Sequence, residues 1–448
     1  MLTLNILSLL PLALASVVPR DVANYDGYKV LRVSTNGDAA AVMETLSALN
    51  YDQWSARIGE YVDISVSDED YEKFQTLGLT SSIMHEDLGA DIAAETTDSS
   101  EYQATVLQRR QNGALPAVPW FNSYHSYSEH VQYWNDLRAA FPSNSERFVA
   151  GRSFEGREIL GLKLFGANTG ASKKAVIWHG TVHAREWIPT MTVEYLAYNI
   201  INGYKNNNAK YRALLDEFDF YILPAVNPDG FAYSQTNDRL WRKQRKPVRL
   251  SNGRTCFGTD MNCNWPYQWT GDPNGASTNP CALTYKGQAA GDTPEIQALT
   301  SHMQSVSRSQ NLTQYIDFHS YGNYILSPYG YTSAVPANSN QQVSLEQKAA
   351  AAIRGEHYES LWFSRARMLT KCLLAVWGTQ YTVGPSGATL YPTTGSSNDY
   401  AHDRAGAEYS YCMELRDKGQ FGFVLPANQI SPTGQEVLAG VLVLLDGA

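Results

Sequence analysis

The sequence predicts an α/β fold in which helices flank a mixed, mostly parallel β-sheet, preceded by a small α+β unit. Three observations predict this class. From Trp120 onward, apolar strand-like runs alternate with helical segments, an order that favours parallel strand pairing. Residues 27–88 alternate shorter strand-like and helix-like runs. The chain has 448 residues, 43% of them hydrophobic, which is enough for a large core and a second unit.

Residues 1–16 form an apolar run that ends in the small-residue pattern Ala13-Leu14-Ala15. Such a run is typical of a secretory signal peptide, although only the amino terminus gives it positive charge. A membrane anchor is the alternative, but the run is shorter than the ~20 residues that span a bilayer. We therefore expect a secreted, extracellular protein with no membrane partner. Its five cysteines suit an oxidising compartment and leave one unpaired.

The small unit at 27–88 contains the strand-like runs GYKVLRVS and YVDISVS and the helix-like runs AAAVMETLSAL and DEDYEKFQTLG. Residues 89–116 are polar and without periodicity, so they predict a linker. Within this linker Arg109 and Arg110 form a dibasic pair of the kind that processing proteases cut.

Charge separates the N-terminal part from the rest of the chain. Residues 21–110 carry 17 acidic against 6 basic side chains, whereas 111–448 carry 27 against 28. An acidic unit on a nearly neutral body argues against nucleic acid as a partner.

The larger body follows the same reasoning element by element. The segment at 125–142 opens with Ser126 and Glu129 at capping-box spacing and then repeats apolar residues at helical spacing. Thr293 and the proline after it predict another helix start, and the apolar segment at 438–448 predicts the last helix. Strands are predicted from these runs: AVIWHG, FDFYILPAVNPDG, QYIDFHSYG and EYSYCMEL.

The stretch HGTVHAREW, directly after a predicted strand, carries the first sign of chemistry. His183 and Glu186 are three residues apart, so both side chains can face one point. His319 ends another predicted strand 133 residues after Glu186 and supplies a third ligand. Two close ligands and one distant ligand are a frequent arrangement for catalytic zinc. His179 is interpreted as a structural core histidine.

Further motifs identify the chain as similar to a known family. It resembles the zinc metallocarboxypeptidases of the carboxypeptidase A/B type in their secreted proenzyme form. The resemblance rests on these motifs, which occur in the family's order: HARE at 183–186, NPDG at 227–230, LWRK at 240–243, NPC at 279–281, HSYG at 319–322, TLYPTTGSSNDY at 389–400 and ELRDKGQFGFVLP at 414–426. It implies a carboxypeptidase-like catalytic domain at 111–448 and an inhibitory pro-segment at 17–110.

The resemblance also implies roles for individual residues. One zinc ion would be held by His183, Glu186 and His319, and Glu414 would be the general base. Arg242 would stabilise negative charge on the scissile carbonyl. Substrate-binding roles fall on Arg185, Asn262, Tyr321 and Tyr391, and a disulfide on Cys256 and Cys281. The side-chain pocket would be lined by Leu326, Ser386, Thr393, Ser397, Asn398 and Cys412. Because Asn398 brings no charge, we expect a preference for apolar or aromatic C-terminal residues.

The sequence departs from the family at Cys263. The family has an arginine at this position, and that arginine binds the C-terminal carboxylate of the substrate. A thiol offers one weak donor and no fixed charge, whereas a guanidinium donates two parallel hydrogen bonds. Losing one partner of a buried charge pair costs about 2–5 kcal/mol, so we expect weakened activity with the chemistry intact.

A second departure is the extra stretch at 354–374, which packs large apolar residues among charges without a clean period. It is either a surface helix or a translated intron, and codons that resemble splice signals favour the intron. In that case Cys372 is not part of the natural cysteine set.

The expected protein is a zinc-dependent exopeptidase that hydrolyses the C-terminal peptide bond of peptides and proteins. We expect it to be a monomer that is activated by a protease. One alternative is a catalytically weakened or inactive zinc-binding relative, because Cys263 replaces the arginine. Another is a zinc amidase on the same scaffold. Asn311 is a candidate glycosylation site.

Overall fold

The computed structural model describes residues 22–55, 59–95, 114–168, 173–270, 275–355 and 378–447. The predicted signal peptide, the dibasic pair Arg109-Arg110 and Cys372 lie outside these residues. So does the extra stretch from residue 356 onward. Its first two residues are described: Arg354 ends a helix, and Gly355 follows it with the left-handed φ of 85° that a helix C-cap favours.

The N-terminal unit is a four-stranded antiparallel sheet with three short helices, as predicted for a small α+β unit. In spatial order its strands are β2, β3, β1 and β4. The bounds are β1 Lys29–Ser34, α1 Ala39–Leu46, β2 Tyr51–Gln53, β3 Tyr61–Val66, α2 Asp68–Phe74, β4 Ser81–His85 and α3 Leu88–Ala94. Its core is built from Leu31, Val33, Val62, Ile64 and Phe74 with their neighbours.

Helix α3 corrects the prediction that the linker begins at residue 89. The Asp87 side chain caps the helix by accepting a hydrogen bond from the Ala90 amide at 3.0 Å. Leu88 is fully buried, and Ile92 packs against the interface with the body. Only these two large apolar residues mark the segment, which is why the sequence showed no helical period.

The body is built on one eight-stranded mixed sheet in the order β13-β12-β14-β11-β7-β8-β6-β5. Four of its seven strand pairs are parallel and three are antiparallel, so the sheet is mixed and mostly parallel, as predicted. Its strands are β5 Ser145–Arg152, β6 Glu158–Leu164, β7 Lys174–Gly180, β8 Phe218–Leu223, β11 Asn311–Ser320, β12 Tyr324–Ser327, β13 Thr382–Pro385 and β14 Tyr409–Leu415. The short pair β9 Pro247–Arg249 and β10 Thr255–Phe257 forms a separate ribbon.

Helices cover both faces of this sheet. Alternate residues of β7 show the two layers: Val176 and Trp178 belong to one apolar cluster, and Ala175 and Ile177 to the other. The helices are α4 Tyr127–Ala140, α5 Ile188–Lys205, α6 Ala209–Glu217, α7 Pro228–Thr236, α8 Pro294–Ser309, α9 Ser339–Arg354, α10 Ser386–Thr389, α11 Ser397–Asp403 and α12 Ile430–Leu445. Helices α8 and α11 pack in the second cluster, and α4, α5, α9 and α12 pack in the first.

The N-terminal unit packs on the body through an apolar cluster that both parts share. Val30, Trp54 and Leu88 come from the unit, and Leu240 and Phe423 come from the body. None of the helices in the described ranges has the length and hydropathy that crossing a bilayer requires. Asn311, the predicted glycosylation site, is exposed at the start of β11, while Thr313 of the same sequon is fully buried.

Candidate metal centre

The three predicted ligands meet at the carboxyl ends of two neighbouring strands. His183 and Glu186 lie in the connection between β7 and α5, and His319 lies near the end of β11. Strands β7 and β11 pair in parallel, with Gly180 opposite Phe318. Because the carboxyl ends of parallel strands share one edge of a sheet, residues far apart in sequence come together there.

The ligand atoms of His183, Glu186 and His319 all lie within 4.8 Å of one another, and all three residues are buried. The Nδ1 atom of His183 is 2.7 Å from Glu186 Oε1, and His319 Nδ1 is 3.3 Å from Glu186 Oε2. The two Nδ1 atoms are 3.2 Å apart. Two imidazole nitrogens and one carboxylate, converging in a buried place, are a donor set that fits zinc.

The far nitrogen of each imidazole faces a carboxylate. His183 Nε2 is 3.1 Å from Asp260 Oδ1, and His319 Nε2 is 3.0 Å from Asp317 Oδ2. Metal-binding histidines usually donate their other ring nitrogen to such a group, which fixes the tautomer and the ring orientation. Both carboxylates therefore leave Nδ1 of the rings to face the shared centre, which is a further sign that these residues fit a metal ion.

Asp260 and Asp317 were missing from the residues predicted from sequence. Asp317 had a usable signal, because it lies two residues before His319 on a strand, and such residues share a face. Asp260 had a weaker one. Its side chain caps the turn Met261–Cys263 by accepting from the Asn262 amide at 3.0 Å, a common role for aspartate.

The electrostatics of the centre depend on these close pairs. Burial acts to raise the pKa of Glu186, but His183 and His319 hold it well below its ordinary value. For His319 burial acts to lower the pKa, and Asp317 and Glu186 together raise it well above the ordinary value. The charged forms are thus favoured in spite of burial because each has an opposite charge in contact.

Glu414 lies on β14, directly opposite His319 in the parallel pairing of β14 with β11. Burial raises the pKa of Glu414 to about 8, although the neighbouring His319 acts in the opposite direction. A carboxylate whose pKa is close to the working pH is suited to taking and returning a proton. The strand register therefore places Glu414, the residue predicted to be the general base, beside the metal ligands.

Arg242 is buried and its guanidinium is held by Asp260. Arg242 Nη2 and Nε lie 2.9 Å and 3.2 Å from Asp260 Oδ2, and Nη1 lies 3.9 Å from Glu186 Oε1. The Ala184 amide also donates to the Arg242 carbonyl at 2.9 Å, which ties the arginine to the ligand loop. The predicted charge-stabilising residue thus stands at the centre in a fixed orientation.

A cavity of about 660 Å³ opens over this centre. Body residues in its walls include the predicted His183, Glu186, Arg242, Asn262, Tyr321, Tyr391 and Glu414. The N-terminal unit contributes Arg32, Trp54, Ser55, Gly59, Glu60, Tyr61 and Asp63 to the same walls. The cavity therefore lies between the two parts of the molecule.

Two predicted substrate-binding residues bond to the N-terminal unit. The Arg185 guanidinium donates to the Trp54 carbonyl at 2.6 Å and stacks 4.0 Å over the Phe423 ring. The Tyr321 hydroxyl donates to Asp63 Oδ2 at 2.5 Å. Burial, and the like charge of Arg242, lower the pKa of Arg185 to about 9.

Cys263 is buried, and its thiol lies 3.6 Å from Asp260 Oδ2. The carboxylate it faces is the one that holds Arg242 and His183. Cys256 and Cys281 are joined by a disulfide bond, as the resemblance implied.

Four of the predicted pocket residues form two pairs, which are linked where the Ser386 hydroxyl donates to the carbonyl of Ser327, next to Leu326. Leu326 pairs with Cys412 across β12 and β14, and Asn398 Nδ2 donates to Ser386 Oγ at 3.3 Å. The fifth, Thr393, donates its amide to Gly330 at 2.8 Å beside them. Ser397 was expected in the same wall, but its hydroxyl donates to Asp317 Oδ2 at 2.6 Å. Because Ser397 follows the turn into α11, its side chain reaches the back of the metal centre.

A protein-family model described as zinc carboxypeptidase matches residues 130–440. Metallocarboxypeptidase A of Arthroderma otae is 41% identical over 429 residues, covering 94% of this chain and 93% of that protein. Metallocarboxypeptidase A of Trichophyton rubrum is 41% identical over 451 residues, with 98% of each chain covered. Carboxypeptidase O of Bos taurus is 36% identical over 354 residues, covering 77% of this chain and 86% of that protein.

Solved structures show the same architecture. The crystal structure of thrombin activatable fibrinolysis inhibitor matches with a TM-score of 0.78 and 25% identity, covering 93% of this chain and 97% of that one. Carboxypeptidase A from Helicoverpa armigera matches with a TM-score of 0.73 and 25% identity, covering 94% and 98%. In both cases the coverage includes the N-terminal unit as well as the body.

Proposed function

This chain belongs to the zinc carboxypeptidase family and is a metallocarboxypeptidase, and we propose that it is secreted as a proenzyme that removes apolar or aromatic C-terminal residues. One observation carries the proposal. The buried group of His183, Glu186 and His319 has Glu414 next to it in strand register and opens into a cavity of about 660 Å³.

His183, Glu186 and His319 would hold one zinc ion. Bound zinc supplies a Lewis acid and lowers the pKa of water towards ~7. Glu414 would accept the proton that the attacking water loses and return it to the leaving amine. The Arg242 guanidinium, fixed by Asp260, would donate to the carbonyl oxygen as negative charge develops there. Removing a donor of this kind typically lowers kcat by about 100- to 1000-fold.

The proposed preference for the C-terminal residue rests on the walls of the side-chain pocket. Leu326, Ser386, Asn398 and Cys412 are neutral and form two neighbouring pairs. A C-terminal lysine, arginine, aspartate or glutamate would lose its water without gaining an opposite charge from these groups. Neutral apolar or aromatic side chains avoid that cost.

The N-terminal unit is the proposed inhibitory segment. It lines the cavity opposite the metal centre, and its Trp54 and Asp63 accept hydrogen bonds from Arg185 and Tyr321. Substrate reaching the centre would have to displace these contacts. Cleavage by a protease in the linker, where Arg109-Arg110 lies, would release the unit. Secretion is proposed from the apolar run at 1–16.

A second candidate is a zinc-binding relative with weakened or absent activity, and Cys263 favours it. The thiol beside Asp260 brings no positive charge to the place where the resemblance implies an arginine. The remaining catalytic groups are present and support activity. In this second candidate, the weakened property is therefore the affinity for the substrate carboxylate and not the reaction at the peptide bond.

The test is release of C-terminal phenylalanine from a blocked dipeptide by the full chain, before and after proteolytic processing, with and without a zinc chelator. We expect release only after processing, loss with chelator and recovery with added zinc. Zinc-loaded, processed protein that releases nothing would favour the second candidate. A free and an amidated C-terminus on the same peptide then separate a carboxypeptidase from an amidase.

A further inference from the structure

Asp317 lies behind the metal centre and contacts three side chains from three different elements. It is fully buried on β11. Its Oδ2 lies 3.0 Å from His319 Nε2 and accepts a hydrogen bond from the Ser397 hydroxyl at 2.6 Å. Its Oδ1 lies 3.3 Å from His179 Nε2. His179 in turn bonds to the Tyr315 hydroxyl.

These contacts fix the direction in which the carboxylate points. His179 on β7 meets one oxygen, and Ser397 at the start of α11 meets the other. The hydrogen bond from Ser397 and the nearby His179 ring restrict the orientation of the carboxylate that lies against the His319 ring. With Nε2 directed at Asp317, the Nδ1 atom of His319 faces Glu186 and His183.

The other imidazole of the centre is held differently. His183 Nε2 meets Asp260, a carboxylate that also carries two contacts from Arg242. Among the described residues, Asp317 makes no comparable contact with a side chain that would face the substrate. Its contacts run from the metal ligand back into the fold, and Ser397 is next to Asn398 of the side-chain pocket.

We propose that Asp317 is a positioning residue for the zinc centre, and that His179 and Ser397 hold it in the orientation that His319 requires. The proposal rests on the zinc site proposed above. It gives His179 a purpose that the ligand set does not provide, and it connects the segment of the substrate pocket to the metal through one hydrogen bond from Ser397.

The test is the zinc dissociation constant of the full-length chain and of Asp317→Asn, measured by competition with a chromophoric chelator of known affinity. The amide keeps the size of the side chain but offers one acceptor oxygen in place of two. We expect the variant to bind zinc about 10- to 100-fold more weakly. Replacing zinc by Co²⁺ should also change the visible absorption spectrum, which reports ligand geometry without any turnover.

Asp219→Asn is the matched control. Asp219 is a buried aspartate on β8 of the same sheet, and its ion pairs are with Lys163 and Lys173, away from the centre. A purely structural role for Asp317 would make the two variants alike, with a lower thermal midpoint and an unchanged zinc dissociation constant. That result would overturn the proposal.

Ser397→Ala provides a second measurement that does not disturb a buried charge. It removes the 2.6 Å hydrogen bond to Asp317, and we expect zinc binding to weaken by about 2- to 10-fold, less than for Asp317→Asn. Unchanged binding in Ser397→Ala would contradict the positioning chain even if Asp317→Asn fails to fold. A wild-type chain that binds no zinc would overturn the proposed metal chemistry as a whole. Tight wild-type binding with an unaffected Asp317→Asn would overturn only the role of Asp317.

Discussion

Cys263 is the residue at which the chain differs most from the family pattern in its chemistry. The substitution leaves the centre intact, because Asp260 still holds both Arg242 and His183 beside the thiol. If the proposed function holds, what changes is the charge available to the carboxylate of a substrate. Variants at this residue would therefore separate binding of the substrate's C-terminus from the reaction at its peptide bond.

Cys263→Arg should raise kcat/KM for a peptide with a free C-terminus by about 30-fold or more, because a guanidinium restores a charge pair worth about 2–5 kcal/mol. Steady-state kinetics on a matched pair of peptides would measure this. One peptide has a free C-terminal carboxylate, and the other has the same sequence with an amidated C-terminus. Cys263→Ser is the control and should change neither rate. An equal gain on both peptides would mean that the arginine acts in some way other than by binding the carboxylate.

Glu414→Gln should lower kcat by about 100- to 10,000-fold, because the amide cannot accept the proton of the attacking water. Zinc content should stay the same, since Glu414 is not among the ligands. The exposed Glu408, six residues earlier, provides the control as Glu408→Gln. Zinc content and kcat measured on the same samples test this prediction. Full activity in Glu414→Gln would show that Glu414 takes no part in the reaction.

At the scale of elements, helix α3 is the most informative part of the N-terminal unit. Its C-cap is Glu95, a buried residue whose carboxylate forms a bidentate pair with Arg239 of the body, at 2.6 Å and 2.8 Å. The Arg239 guanidinium also stacks 3.8 Å over the Trp187 ring. The end of a short helix thus provides a buried, bidentate ion pair between the two parts.

Glu95→Gln should weaken the hold of the N-terminal unit, because breaking a buried ion pair typically costs about 3–5 kcal/mol. After proteolytic cleavage of the linker, reassociation of the N-terminal unit with the body limits activity at high protein concentration. Because the variant unit binds more weakly, the variant should remain fully active at higher protein concentrations than the wild type does. Activity measured over a dilution series tests this. Glu86→Gln removes an exposed pair with Lys29 and should behave as wild type. Identical dilution curves for all three proteins would show that Glu95 does not govern release.

Element existence was largely predictable from the sequence, and contacts between elements were not. Strand β7, which leads into the loop of His183, and strand β11, which carries His319, were marked by apolar runs that end in polar residues. The meeting of these two histidines at one sheet edge therefore followed from parallel pairing. Helix α3 was missed because it buries its few apolar residues against another part of the chain. Asp260 was missed because a buried aspartate is identified by its neighbours, which only the fold supplies. Asp317 was missed although its spacing of two residues from His319 on a strand was a usable signal.

At the scale of the whole molecule, several acidic side chains are buried away from the metal centre. They make the stability of the folded chain depend on pH. Glu346 on α9 is fully buried, and burial raises its pKa to about 8 from an ordinary value of 4.5. The native state therefore keeps a proton there that the unfolded chain loses near pH 4.5. The contribution to stability is complete below that pH and is lost as the pH rises towards 8.

Glu346→Gln should remove this part of the pH dependence, because an amide has no proton to lose. Between pH 5 and 8 the wild type should lose stability with a slope of at most about 1.4 kcal/mol per pH unit from this group, and the variant should lose less. Urea unfolding at a series of pH values gives both curves. Glu44→Gln, at an exposed position, should leave the wild-type curve unchanged. Parallel curves for wild type and Glu346→Gln would show that Glu346 is already ionised in the native state.

Strand β14 pairs with β11 but lies much later in the chain, so a newly made chain acquires the groups of the centre in a fixed order. The N-terminal unit that lines the cavity leaves the ribosome first, then the loop with His183 and Glu186, and much later His319. Glu414 follows His319 by 95 residues, so it is the last of these groups to be made. Domains generally fold in that direction during translation. The part that covers the centre is therefore available to fold before the centre has all its groups, and no incomplete chain that lacks β14 carries the full set.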